Sequence, residues 1–157
     1  MKSKRQTGFS LIELLIVVAI IGIIAAIAIP NILASKRAAN EGSAQSSMRT
    51  IASCEATYSH TYGNGDYTDL TTLGSKVMTD AVLSSGTKSG YLFVANPDAS
   101  DPQQFYATGY PVTTSGVAQT GTRRFGISDE GVMRGDTDLS AAPADRTAVL
   151  AMPALNN

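Results

Sequence analysis

The sequence predicts an α+β protein: one long N-terminal α-helix, kinked at Pro30, packed against a small antiparallel β-sheet head. Three observations predict it. Residues 9–29 are almost wholly apolar. Beyond them Ala44, Met48, Ile51, Cys54, Tyr58 and Tyr62 recur at spacings of three and four, which places them on one stripe of a helix. From about residue 90 onward, short aromatic and β-branched runs alternate with Gly, Pro and Asp. At 157 residues there is room for one domain and an appendage, not two full domains. The reading divides the chain into a basic N-terminal segment (1–8), an apolar helix of membrane-spanning length (9–29), an amphipathic helix half (30–62), a connecting segment (63–90) and a sheet with its tail (91–157).

The N-terminal segment carries Lys2, Lys4 and Arg5 and no acid. Positive charge stays on the cytoplasmic side, so the chain beyond the apolar run is expected outside the cytoplasm. Residues 9–29 would make about 31 Å of helix, close to the thickness of a bilayer core. A secretory apolar region is shorter, and a small-residue cleavage site follows it. Here the sharpest break, Thr7-Gly8-Phe9, precedes the apolar run. A cut there would remove the basic segment and leave the apolar helix in place.

Glu13 is the one acid in this run. A carboxylate at the centre of a spanning helix costs on the order of 2.5 kcal/mol or more, and less near an end. Either it lies shallow enough to reach the headgroups, or it has a cationic partner. A cut after Gly8 would create such a partner, an α-amino group on Phe9 one turn away.

The run from Gly8-Phe9-Ser10-Leu11-Ile12-Glu13 through Gly22 to Pro30 resembles the N-terminus of type IVa pilins and pseudopilins. The resemblance implies a pilin fold. It also implies that a membrane aspartyl prepilin peptidase cuts between Gly8 and Phe9 and methylates the new N-terminus of Phe9. Residues 1–8 would then be the leader, residues 9–29 the transmembrane and polymerisation helix, and Glu13 the carboxylate that neutralises a neighbouring subunit's amine during assembly. Gly22 and Pro30 would bound the stretch that unwinds in the assembled filament.

Past Pro30, the pattern continues as helix to Tyr62, with Arg37, Glu41, Gln45, Arg49 and Glu55 assigned to its other faces. Pro30 costs a regular helix about 3 kcal/mol, and Gly22 costs about 1 kcal/mol against alanine. Gly63-Asn64-Gly65-Asp66 ends the helix with residues that tolerate left-handed backbone. Leu70, Leu73, Val77 and Ala81 fit a short helix, and residues 84–90 fit a turn. Strands are expected at 91–95, 104–110, 123–128 and 132–134, with Asp129-Glu130-Gly131 turning between the last two. Residues 137–157 read as a surface tail, with one late strand at 147–150.

Gly90-Tyr91-Leu92-Phe93 and Thr120-Gly121-Thr122-Arg123-Arg124-Phe125 are similar to strands of a subset of type IVa pilins. The C-terminus departs from that family. Many members clip it with a disulfide, whereas Cys54 is the single cysteine and has no partner. Cys54 reads as a small buried apolar residue of the stripe, and His60, the single histidine, as a helix C-terminal contact.

No catalytic constellation is visible, because one histidine at a helix end is a poor general base for any serine, and no phosphate loop of usual spacing occurs. No cofactor and no metal are expected. Asp66 with Asp69, and Asp129, Glu130, Asp136 and Asp138, have the chemistry for calcium, but turn acids more often cap or are solvated. The major pseudopilins carry calcium in this region together with a tryptophan-containing C-terminal pattern, and this chain has no Trp. With net charge -1, a pI of about 5.7 and no aromatics interleaved with Arg123, Arg124 and Arg134, nucleic acid is not an expected partner.

The expected partners are therefore copies of the chain itself in a helical homopolymer, the prepilin peptidase, the pilus assembly machinery of the inner membrane, and lipid before assembly. The expected location is the inner membrane, single-pass with the head periplasmic, and then an extracellular pilus. The leading function is a structural type IV pilus subunit, not an enzyme. The alternatives are a pseudopilin of type II secretion or a minor pilin, and a signal-anchored periplasmic binding protein or enzyme.

Overall fold

The computed structural model describes residues 8–155. The chain divides into two compact units, Met1–Ser35 and Lys36–Asn157. Helix α1, Leu11–Thr61, begins in the first and ends in the second.

In the first unit, α1 stays helical through Gly22 and Pro30. Proline supplies no N–H to the carbonyl of Ala26 and its ring crowds that carbonyl, so this is the weakest turn of the helix, yet the backbone does not leave the helical form. The apolar side chains from Leu11 to Ile29 are largely exposed. By length and composition this helix can cross a membrane.

In the second unit, the remainder of α1 is followed by α2 (Leu70–Lys76), α3 (Ala81–Ser84) and a five-stranded sheet. The strands are β1 (Thr87–Lys88), β2 (Tyr91–Pro97), β3 (Phe105–Pro111), β4 (Arg124–Ser128) and β5 (Arg134–Asp136), and α4 (Arg146–Leu150) comes last. Every neighbouring pair is antiparallel and the spatial order follows the chain order. Alternate residues point to one face of a strand. Tyr91, Phe93 and Ala95, Phe105 and Ala107, and Phe125 and Ile127 accordingly join Ala44, Met48 and Ile51 of α1 in one core. At Gly109 a β-carbon would lie 3.4 Å from Met48 Sδ and 3.3 Å from Phe93 Cε1, so the missing side chain lets sheet and helix close up.

Several expectations need correction. The buried face of α1 runs through Glu41, Ala44, Ser47, Met48, Ile51, Glu55 and Ser59. Glu41 and Glu55 thus lie on the core side, not on the other faces, while Cys54 and Tyr58 are half-buried and Tyr62 is exposed. The reason is that both carboxylates find hydrogen-bond donors in the head, described below.

The connecting segment contains two helices, because Asp80 caps α3 by accepting from the Val82 and Leu83 N–H groups. The segment expected as a plain turn holds β1, which pairs Thr87 with Leu92 and Lys88 with Tyr91, so the sheet has five strands rather than four.

The late strand at 147–150 is helix α4. Asp145 accepts from the Ala148 N–H at 2.7 Å and sets the helical turn, and the far edge of β5 is already taken by the bridge from Ala154 to Arg134. Nor is the tail merely superficial. Val149 and Met152 are buried, packed where Gly126 leaves room: a β-carbon there would lie 2.8 Å from Val149 Cγ1.

The helix-ending turn agrees with its sequence reading, with Asn64 at φ 51° and Gly65 at φ 103°. In the β4–β5 loop Gly131 has φ 71°, as its sequence implies, but the loop runs on to residue 133 and the strand expected at 132–134 is Arg134–Asp136.

Candidate functional site

The N-terminal site is built from the first turn of α1. Gly8, Phe9 and Ser10 precede the helix in non-helical backbone, and all three are exposed. The Ser10 carbonyl accepts the Leu14 N–H at 3.2 Å, which makes Ser10 the N-cap residue. Glu13, three residues on, turns back and accepts the Ser10 N–H at 3.0 Å. This is half of a capping box, the Ser-x-x-Glu arrangement that satisfies an otherwise orphaned donor. An acid in the first turn also lies favourably in the field of the helix N-terminus, worth roughly 0.3–1 kcal/mol.

Among the described residues, the partner of Glu13 is thus a backbone donor of its own turn. The Ser10–Glu13 spacing is itself a capping signature legible in the sequence. Lys2, Lys4 and Arg5 lie outside the described residues.

Gly22 and Pro30 sit farther along the same exposed helix. A β-carbon added at Gly22 would meet nothing within 4 Å, and the same is true at Gly8. Among the described residues, no packing requires glycine at either position.

The head offers no comparable exposed chemistry among the described residues. Arg123 Nε pairs with Glu41 Oε2 at 2.9 Å. Arg124 forks onto Asp136 at 2.7 and 3.0 Å, reaches Asp138 at 3.3 Å and donates to the Ala141 carbonyl at 2.6 Å. Arg134 pairs with Glu130 at 3.1 Å, and Arg146 forks onto Asp129 at 2.7 and 3.0 Å. Asp129, Glu130, Asp136 and Asp138 are thus held by guanidinium groups, and Asp69 caps α2 through the Thr72 N–H at 3.0 Å. Among the described residues, no three side chains of His, Cys, Asp or Glu gather where a metal could be held.

Cys54 is half-buried and free, and burial pushes its thiol up, with the Glu55 charge adding to the effect. That is the opposite of an activated thiolate. His60 occupies the last turn of α1, where a cation is favoured.

Two buried acids were missed as functional residues of the fold. Glu41 accepts the Thr122 N–H at 2.7 Å, the Thr122 hydroxyl at 2.6 Å and Arg123 Nε at 2.9 Å. Burial pushes its carboxyl up, but the Thr122 bonds and Arg123 outweigh this and hold it below the usual glutamate range. Glu55 is fully buried and accepts the Thr68 N–H at 3.1 Å. A signal was available, since Glu41, Ala44, Met48, Ile51 and Glu55 are themselves spaced by three and four.

Residues 3–29 match the family described as "Prokaryotic N-terminal methylation motif". The chain is 43% identical over 54 residues to the type IV major pilin protein PilA of Myxococcus xanthus, covering 34% of this chain and 24% of that protein. It is 58% identical over 38 residues to the type IV wide pilus major component PilA4 of Thermus thermophilus, covering 24% and 29%. It is 45% identical over 40 residues to the type II secretion system core protein G of Vibrio cholerae, covering 26% and 27%. The matches thus span only about a quarter to a third of these relatives' lengths. No solved structure matches the chain.

Residues 3–29 carry the methylation motif and include the start of the exposed apolar helix, and over its N-terminal part the chain is similar both to type IV pilins and to type II secretion core proteins; its long N-terminal helix and small antiparallel sheet make a pilin-like α+β arrangement.

Proposed function

We propose that this chain is a structural subunit of a type IV pilus, cut between Gly8 and Phe9, methylated on Phe9 and polymerised through residues 9–29. The observation that carries the reading is an apolar helix, long enough to span a bilayer, whose side chains are exposed. Such a surface is stable only in lipid or against another apolar surface. Copies of the same helix supply that surface in a homopolymer.

The processing site fits the same reading. Gly8 and Phe9 lie in exposed, non-helical backbone, as a substrate of a prepilin peptidase in the inner membrane requires. After the cut, the new amine of Phe9 is a cation within one turn of Glu13. It competes with the Ser10 N–H, first within the subunit and then from a neighbour at the assembly machinery. Gly22, where a β-carbon would meet nothing among the described residues, would let neighbouring helix backbones approach closely. Pro30 and Gly22 bound the stretch that costs least to unwind. The head would lie in the periplasm before assembly and on the filament surface afterwards.

Glu13→Ala tests the assembly role. The mature protein should still begin at methylated Phe9 by mass spectrometry, while surface filaments are lost or sharply reduced. Normal filament yield, or filaments whose subunits keep the leader, would refute the reading. The similarity to secretion-system core proteins favours a second reading, a pseudopilin. Electron microscopy of sheared cell-surface filaments, with mass spectrometry of their main subunit, separates the two: a pseudopilin would be absent from long surface filaments.

A further inference from the structure

Glu55 is a buried acid that the proposed filament role does not use. Its side chain is fully buried between α1 and the connecting segment, and Oε2 accepts the Thr68 N–H at 3.1 Å. The other oxygen, Oε1, has no hydrogen-bond partner among the described residues. The next residue, Asp69, is the N-cap of α2, so Glu55 ties down the start of that helix. The Tyr67 N–H, one residue earlier, is held by the Pro102 carbonyl at 2.8 Å.

The titratable groups around Glu55 are of the wrong sign to stabilise a charge. From the connecting segment come the Asp69 carboxylate and the Tyr67 phenol, and from α1 the neighbouring Cys54 thiol. Tyr67 also faces Asp129 at the end of β4, which is itself paired with Arg146 of α4. None of the groups acting on Glu55 is a cation.

We propose that Glu55 is a proton-operated latch. As a neutral acid it pins Thr68, and with it the N-cap of α2, to α1. As a carboxylate it is a buried charge without a counterion, and it releases the connecting segment. The physical basis is that an orphaned buried oxygen costs far less on a neutral carboxyl than on an ionised one.

Burial, reinforced by the Asp69 charge and only partly offset by the Thr68 N–H, pushes the carboxyl up to about 7. Because the folded value lies above the unfolded one of about 4.3, the tether is at full strength below about pH 4.3 and weakens as pH rises through about 7. The latch thus works in the neutral range, where few carboxyl groups titrate.

Hydrogen exchange of the full chain in detergent, corrected for intrinsic exchange rates, tests this. Protection of the amides from Thr68 to Lys76 should fall about tenfold or more between about pH 5.5 and pH 8.5. In Glu55→Gln, the permanently neutral isostere, that fall should vanish. A wild type whose protection does not change, or a Gln variant with the same fall, would overturn the latch. If the Gln variant does not fold, carboxyl-carbon NMR of Glu55 in the wild type decides. A midpoint near 7, tracked by the Thr68 amide, supports the proposal, and a midpoint near the ordinary value of about 4.3 refutes it.

Discussion

Removing the Glu41 carboxylate should be among the most damaging single changes in the head. Glu41 is 7% exposed and receives three hydrogen bonds, two from Thr122 and one from Arg123. It fastens the segment leading into β4 to α1, some eighty residues away in sequence. Hydrogen bonds to a charged group contribute about 1.5–3 kcal/mol each, but they are not additive here. The Arg123 side chain is 38% exposed, so water recovers most of what that pair loses.

Glu41→Ala should therefore cost about 3 kcal/mol, chiefly the two Thr122 bonds and the space left beside Ala44. For a folded unit of this size that corresponds to a fall of about 10 °C in Tm. Glu41→Gln keeps the volume and one acceptor, and should cost about half as much. The assay is near-UV circular dichroism of the full chain in detergent, which reports the head because the chain has six Tyr and no Trp and Tyr91 is fully buried.

The same experiment has a pH arm. The folded Glu41 value lies below the unfolded one, so its contribution is complete above about pH 4.3 and is lost as pH falls through the folded value. The gap between wild type and Glu41→Gln should narrow in acid. A Glu41→Ala protein within about 2 °C of wild type at neutral pH would show that the helix-to-sheet anchor lies elsewhere.

Two further predictions concern the sheet and the tail. Gly121→Ala would place a β-carbon 2.0 Å from Tyr91 Oη, a buried group that donates to the Arg123 carbonyl at 2.8 Å. It should destabilise the head by about 2 kcal/mol through overpacking, and an unchanged denaturant midpoint would contradict the packing described here. Arg124→Ala removes the fork on Asp136 and the bond to the Ala141 carbonyl. Limited proteolysis should then cut within residues 137–145, and Arg124→Lys should restore little because an ammonium cannot make the fork. Equal protease resistance of Arg124→Ala and wild type would mean that the tail is held by other contacts.

That second prediction bears on the missing disulfide. In this chain the region after β5 is fastened by polar clips. Arg124 holds Asp136 and Ala141, Arg146 holds Asp129, Tyr106 donates to the Ala144 carbonyl and Tyr110 to the Leu139 carbonyl. Val149 and Met152 bury themselves over β4. Two bidentate guanidinium pairs and two tyrosine hydroxyls do by enthalpy and geometry what a covalent bridge does by constraining the unfolded chain.

Much of this molecule could be read from local pattern, because the determining physics is local. An apolar run of bilayer length is helical and needs an apolar surround, whatever follows it. The left-handed turn at Asn64-Gly65 and the strands β2, β3 and β4 follow from neighbouring residues within a few positions. What tertiary structure decided are the features that depend on distant partners. Glu41 and Glu55 look like solvent-facing acids until Thr122, Arg123 and Thr68 arrive to bond them. Residues 147–150 have the composition of a strand, but Asp145 supplies a cap and Ala154 occupies the available sheet edge, so they coil as α4. Burial and hydrogen bonding are properties of the assembled neighbourhood, and a charged side chain changes role when the fold surrounds it with donors.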